Sequence, residues 1–547
     1  MGAGSRLSPR SAHPGLSRAL SLAPPAVVAK LSPPKVQPFE AIPRNGHNAW
    51  LNLFQFWRTN AFQNLHRVMD RNFQHLGPIY RAVSASGWSF QLLLSLGKTA
   101  QLAGRSVNVF LPQDAAQLFQ TEGIFPRRMG IDSWLAHRAL RNHKCGVFLL
   151  WELQATLPAR PGLTCVCMGV CVCVTLFCRN GEEWRSDRLI LNKEVISPAG
   201  TRKFLPFLNT VAEDFVAFMY RQIRKNTRGS LTVDLYHDLF RFTLEASSYA
   251  LYGERLGLLE ESPKPESQEF ISAVETMLQT TLPLLFLPPG VMRWVNNRLW
   301  QQHLKAWDTI FSHADKCIQN IYQEFCLGKP RKYSGIMAEL LVQAELPLDS
   351  IKANVTELTA GGVDTTAMPL LFTLFELARN PQVQTAIREE IRGAQAQGSR
   401  ELAKLLNAMP LLKGALKETL RLPPGAAWQE GRRLPPSGAP PFLPPQTLCQ
   451  VGLYSMGRSP AVFTEPEQYR PSRWLGKEDH SFKALAFGFG SRQCIGRRLA
   501  EAEMALFLMH ILKNFKIDTV FKEDIRTIYS FILKPEKPPR LTFRPID

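Results

Sequence analysis

Apolar residues recur at three- and four-residue intervals along most of this chain and alternate only in short runs. From Asn192 to Phe325 the helical period predominates, most regularly in Phe204 to Ile223 and Glu266 to Leu282. Asp349 or Ser350 is placed to cap a helix that runs through Leu377 and stops at Asn380-Pro381. A second helix is expected from Leu411 to Leu422, ended by Pro423-Pro424. A third opens just past Cys494 and carries Ala500, Met504, Leu508 and Ile511 on its apolar face. Alternating runs such as Val107 to Leu111 read as strands. The pattern predicts a mainly α chain with minor β and no internal repeat.

At 547 residues, with 45% hydrophobic and 20% charged residues, the chain has the composition of a folded globular protein, in one large domain or several. A formal net charge of +19 asks for a negative partner: nucleic acid, anionic lipid or an acidic protein. No nucleic-acid-binding module is recognisable, so nucleic acid is not expected. Residues 1–39 hold Arg6, Arg10, Arg18, Lys30, Lys35 and six serines, with no acid before Glu40. That composition reads as a mitochondrial transit peptide, the alternative being a disordered basic tail. Without those five cations the charge is 19 − 5 = +14, so a partner is still implied. Ten cysteines without a secretory signal do not make a disulfide framework.

The strongest chemical signal is Phe-Gly-Phe-Gly-Ser-Arg-Gln-Cys-Ile-Gly, Phe487 to Gly496. A cysteine that ligates a metal must be a thiolate, which needs positive charge or backbone N–H groups around the sulfur. Gly488, Gly490 and Gly496 allow close backbone approach to a flat cofactor, and the helix after Cys494 points its positive end at the sulfur. Arg492 is placed to pair with a carboxylate on the cofactor edge. A lone cysteine is ordinarily a small buried hydrophobe. Glu418 and Arg421 share a helix face, a pair that is usually a solvated bridge. Ala360 to Thr366 (A-G-G-V-D-T-T) puts two glycines inside a helix, at a cost of about 1 kcal/mol each. Close packing against a ligand explains them; so does a kink near Pro369.

The Phe487–Gly496 segment resembles the haem-binding signature of cytochrome P-450 enzymes. That resemblance implies the P-450 fold, one haem domain over 40–547, haem b as cofactor and Cys494 as the axial thiolate, with Phe487, Gly488 and Arg492 also at the cofactor. Trp184 and Arg188, in W-x-x-x-R, would hold a haem propionate. Glu418 and Arg421 would be closed into a structural network by Arg473 of Pro471-Ser472-Arg473-Trp474. Asp364 and Thr365 would deliver protons to bound dioxygen. Lys413 and Lys417 on one helix face, with Arg497 and Arg498 after the cysteine, point to the mitochondrial class. Its electrons come from an acidic adrenodoxin-type ferredoxin with its NADPH-dependent reductase. The transit-like start takes the place of a microsomal anchor, and peripheral association with the matrix side of the inner membrane follows. Longer stretches, among them R-M-G-I-D-S-W-L-A-H-R, H-K-C-G-V-F-L-L and Y-S-F-I-L, are similar to the steroid 11β-hydroxylase and aldosterone synthase subfamily. By that likeness Trp134, Arg138, Phe148, Glu357, Ala360 and Phe531 line a steroid pocket. The implied reaction is 11β-hydroxylation of 11-deoxycorticosterone or 11-deoxycortisol. C18 oxidation toward aldosterone, or a catalytically impaired haem protein, are the alternatives.

Three segments depart from the family pattern. Residues 151–179 interrupt it: without them Gly-Val-Phe-Leu-Leu runs straight into Asn-Gly-Glu-Glu-Trp-Arg. Their C-V-C-M-G-V-C-V-C-V reads as a metal site, a short membrane run or, as favoured here, retained non-coding sequence. Residues 82–103 are a similar anomaly. Residues 423–450 are Pro-rich, and proline lacks the donor a central strand needs, which puts the expected pocket wall in doubt. Sequencing of mature transcripts is expected to return a message joining codon 150 to codon 180; an in-frame message carrying the insert overturns that reading.

Overall fold

Proline and glycine set the ends of the helices that the apolar periods predict. The computed structural model describes residues 38–46, 49–59, 61, 63–83, 105–121, 126–128, 131–148, 181–261, 264–285, 298–328, 335–398, 401–422, 429–433, 447–476 and 482–546. In chain order the helices are α1 (Ala49–Arg58), α2 (Leu65–Leu76), α3 (Pro112–Gln120), α4 (Asp132–Arg141), α5 (Glu182–Val195), α6 (Pro198–Arg224), α7 (Tyr236–Tyr252), α8 (Pro265–Leu284) and α9 (Arg298–Cys326). They continue as α10 (Gly335–Gln343), α11 (Leu348–Gly362), α12 (Asp364–Arg379), α13 (Pro381–Ala396), α14 (Leu402–Asn407), α15 (Pro410–Arg421), α16 (Leu453–Arg458) and α17 (Arg497–Asn514). The start of α6 illustrates the local code: Ser197 Oγ accepts from the Gly200 N–H at 2.9 Å, and Pro198 fills the first turn. Gly253, at φ 68°, closes α7 in the left-handed conformation.

The largest core cluster is built from α5, α6, α7, α8, α9, α11, α12, α15 and α17, with α12 and α17 buried along most of their length. Leu348–Arg379 is long and apolar enough to cross a membrane, but its apolar window is 78% buried inside the fold. It is a core element. Strands are few, as the pattern predicts. A five-stranded sheet has β1 (Ile79–Val83), β2 (Arg105–Val109), β6 (Leu448–Val451), β5 (Gln429–Arg433) and β3 (Arg127–Arg128) side by side in that order. A three-stranded sheet pairs β4 (Leu231–Asp234), β10 (Arg540–Pro545) and β7 (Phe515–Asp518), and β8 (Thr527–Ser530) makes a hairpin with β9 (Ile532–Pro535).

Two sequence expectations change. The helix expected from 349 or 350 to Leu377 begins at Leu348, has no side-chain cap, and breaks at Val363, ahead of Pro369. The Thr365 hydroxyl donates to the Gly361 carbonyl at 2.5 Å and competes for the acceptor the helix would use there. The Pro-rich stretch 423–450 was expected to supply no central strand, yet its two proline-free parts form β5 and β6 inside the five-stranded sheet. Gln429 to Arg433 and Leu448 to Val451 keep every backbone donor, so β6 pairs in parallel with β2 and antiparallel with β5. Residues 1–37, 84–103, 151–179 and the remainder of 423–450 apart from Thr447 lie outside the described residues.

Glu418 and Arg421 do not form a solvated bridge. The Glu418 side chain is fully buried and receives Arg421 through Nη2 at 2.8 Å and Nε at 3.0 Å, Arg473 Nε at 2.8 Å, the Trp474 indole N–H at 2.8 Å and the Arg470 N–H at 3.0 Å. Arg421 and Arg473 also donate to carbonyls of 464–468, so one carboxylate ties α15 to the irregular chain before the cysteine loop. Glu418→Ala strands buried guanidinium charge and is expected to lower stability by about 3–5 kcal/mol. Urea unfolding of the haem-loaded protein measures it.

Candidate haem-thiolate site

The cysteine loop takes its shape from backbone positions that only glycine adopts readily. Gly488 and Gly490 sit at φ 75° and 72°, where a Cβ is strained. The Cys494 N–H donates to Phe487 O at 2.7 Å and closes the loop. Gly496 is conformationally ordinary, and a Cβ there would lie 4.0 Å from Cys494 Sγ, an ordinary van der Waals contact. The Cys494 side chain is exposed, three residues ahead of α17, whose N-terminal dipole favours a thiolate.

Trp184 and Arg188, one turn apart on α5, are both brought to this loop. Arg188 Nη2 donates to Gln493 O at 2.7 Å, and the Arg492 guanidinium lies 3.6 Å over the Trp184 ring. Trp184 is 1% exposed, and its indole N–H has no hydrogen-bond partner among the described residues. A buried donor of that kind suits an anionic group on a bound cofactor. Arg492, expected to pair with a cofactor carboxylate, donates through Nε to Pro126 O at 3.2 Å and through Nη1 to Val147 O at 3.4 Å. Those bonds make it the link between the cysteine loop and the 145–148 segment.

The 145–148 segment links the cysteine loop to α11, and α12 follows α11 directly in the chain. Among the described residues nothing lies within 4 Å of where a Gly361 Cβ would sit, and Thr365 is exposed, in a helix pair otherwise largely buried. Ala360 is buried on the same stretch. Asp364 is 6% exposed, its Oδ1 has no hydrogen-bond partner among the described residues, and burial pushes its carboxyl up to about 8. Burial thus favours the protonated carboxyl at Asp364, next in the chain to the exposed Thr365. Glu357, one turn before Gly361, accepts from the Gly146 N–H at 2.9 Å and the Phe148 N–H at 3.1 Å. A Cβ at Gly146 would lie 2.9 Å from the Ala353 backbone carbonyl oxygen and 2.5 Å from Glu357 Oε2, so only glycine fits.

Three rings converge at the wall: Trp134 lies 5.6 Å from Phe148 and 5.8 Å from Phe531 between centroids. Phe531 sits at φ 66° at the tip of the β8–β9 hairpin, a strained conformation for a non-glycine residue that functional positions often hold. Arg138 is one ring removed from this group. It is 0% exposed and lies 3.8 Å over Trp307, which meets Trp134 edge to face. Near the start of α17, Lys413 donates to Asn407 Oδ1 at 2.7 Å, the Lys417 ammonium lies 5.8 Å over Trp474, and Arg497 and Arg498 share Glu501.

The sequence gives no sign of Asn354, whose amide accepts from the Val147 N–H at 2.6 Å and donates to Asp187 at 3.2 Å. The chain on either side of the 149–180 stretch is thus pinned to one side chain. Nor is the strain at Phe531 legible, since left-handed backbone there has no local signature.

The cytochrome P450 family model matches residues 174–543. The chain belongs to the cytochrome P450 family. Mitochondrial cytochrome P450 11B of Aquarana catesbeiana is 61% identical over 510 residues, 93% of this chain and 90% of the relative. Mitochondrial cytochrome P450 11B2 of Mus musculus is 46% identical over 522 residues, 95% of each chain. The mitochondrial cholesterol side-chain cleavage enzyme of Oncorhynchus mykiss is 42% identical over 528 residues, 95% of this chain and 94% of the relative. Haem b is the cofactor of this P450, and the exposed thiol, the two left-handed glycines and the buried Trp184 donor fit it. Cys494→Ser is expected to abolish the thiolate-type Soret shift of the reduced, carbon-monoxide-bound protein. Gly488→Ala is expected to reduce haem retention through about 1–2 kcal/mol of backbone strain.

Proposed function

We propose that this cytochrome P450 is a mitochondrial steroid 11β-monooxygenase that hydroxylates 11-deoxycorticosterone or 11-deoxycortisol with O2 and electrons from an adrenodoxin-type ferredoxin. The observation that carries the reading is the Trp134–Phe148–Phe531 cluster, coupled through Val147 and Arg492 to the cysteine loop. A rigid apolar substrate is matched by aromatic walls with few polar anchors. Relatives named mitochondrial cytochrome P450 11B, matched over nearly the whole chain, favour the same reading. Residues 1–39 serve as the import leader and 40–547 as the haem domain, peripheral to the matrix face of the inner membrane.

Haem bound through Cys494 supplies oxygen activation. The chain's own residues do the rest. Trp184, Arg188 and Arg492 would hold the cofactor edge together with Phe487 and Gly488, Arg492 also tying that loop to Val147. Trp134, Phe148, Phe531 and Ala360 orient the steroid, and Glu357 fixes the backbone that carries Phe148. Asp364, with a carboxyl that burial keeps protonated, and the exposed Thr365 hydroxyl serve proton delivery. Lys413, Lys417, Arg497 and Arg498 present positive charge to the ferredoxin. Oxidation at C18 toward aldosterone uses the same wall, so products separate the two reactions; a catalytically impaired protein gives neither.

Turnover of 11-deoxycorticosterone with ferredoxin and reductase, with products identified by mass spectrometry, is expected to yield the 11β-alcohol. Because burial raises the Asp364 carboxyl, the proton is present below about pH 8 and lost above it. Turnover is expected to fall as pH rises through that value, and Asp364→Asn to lower turnover and remove the falling limb.

A further inference from the structure

The helix that carries Trp134 is fastened to its neighbour by one carboxylate that haem binding does not use. Asp308, on α9, accepts at Oδ1 from His137 Nε2 at 2.9 Å and Arg141 Nε at 2.9 Å, and at Oδ2 from Arg141 Nη2 at 2.7 Å. Both partners belong to α4. On its other side His137 meets Arg138 Nη1 at 3.0 Å. A guanidinium only donates, so His137 Nδ1 accepts, Nε2 carries the proton, and that proton is directed at Asp308. Burial holds the imidazole neutral by lowering it to about 4.

The fully buried Arg138 is therefore linked to Asp308 through a neutral ring. Its guanidinium lies between the faces of Trp307, at 3.8 Å, and Phe311, at 4.5 Å. Trp307 in turn meets Trp134 edge to face at 4.8 Å, and the Trp134 indole N–H donates to Thr281 Oγ1 on α8 at 2.8 Å. The series Asp308, His137, Arg138, Trp307, Trp134 runs without a gap from a partly exposed carboxylate to the substrate wall.

We propose that Asp308 is a positioning residue for the steroid: through His137, Arg138 and Trp307 it fixes the Trp134 ring and so sets substrate affinity and the carbon presented for oxidation. This rests on the steroid reading above. Removal of a hydrogen bond to a charged group at this position is expected to loosen the wall while leaving the cysteine loop as it is.

The test uses the haem-loaded full chain carrying Asp308→Ala, Asp308→Glu, His137→Phe, or Asp308→Ala with His137→Phe. Titration with 11-deoxycorticosterone is read as the substrate-induced spin-state shift. Each of Asp308→Ala and His137→Phe is expected to weaken binding about tenfold, the pair no further, and Asp308→Glu to recover part of the loss. The product ratio changes while the reduced carbon-monoxide spectrum does not. Wild-type affinity and product ratio in both single variants overturn the proposal. So does parallel loss of the carbon-monoxide spectrum in both, which makes the network a folding element only. A bulky aryl imidazole titrated alongside reports the wall without the steroid. If wild-type protein ignores the steroid, the steroid reading fails and the imidazole series still decides Asp308: loss in both single variants supports it, and unchanged affinity overturns it.

Discussion

The buried Glu418 carboxylate is the interaction on which the proximal side depends. A carboxylate taken fully out of water is unfavourable unless its lone pairs are filled, and here two guanidinium groups, an indole and a backbone N–H fill them. The two arginines extend the same charge into carbonyls of 464–468, so a stretch with little regular structure is held as firmly as a helix. The cysteine loop follows in the chain. Its left-handed glycines and its Cys494-to-Phe487 hydrogen bond have meaning only if both ends of the loop are fixed.

The distal side is organised by a different device. Two polar residues of α11, Asn354 and Glu357, take up the backbone N–H groups of Gly146, Val147 and Phe148, and Arg492 takes the Val147 carbonyl. The segment is thereby clamped between α11 and the cysteine loop. Phe148 inherits its place from that clamp. Buried polar groups act here as locators, since leaving any of those donors unpaired costs about 1–3 kcal/mol. At α12 the same economy produces Asp364, a carboxyl kept protonated by burial.

Much of the proximal site was legible in order along the chain. The ten residues 487–496 contain the ligand, the two glycines whose φ is positive and the arginine that stacks on Trp184. Glu418 and Arg421 were legible as a pair and, with the family resemblance, as a triad with Arg473. Trp474 and the Arg470 N–H were not, because their contacts with Glu418 join positions more than fifty residues apart. The helix break at Val363 was misread as continuous helix, since periodicity records which face is apolar and not which acceptor a threonine hydroxyl takes. The strands β5 and β6 were missed because the prolines between them dominate the composition of 423–450 while the paired residues carry none.

The sequence by itself determined the helix-rich class, the thiolate candidate, the glycine turns that expose it and the acid-hydroxyl pair of Asp364 and Thr365. Each of these is a local property, written in residue type and spacing over a few turns of chain. Only the tertiary structure decided that Arg492 bridges to Val147, that Arg138 is sandwiched between Trp307 and Phe311, and that Asp308 reaches α4. Those contacts join residues 167 to 345 positions apart, and the identity of a buried side chain's partner is fixed by packing, which no local period encodes.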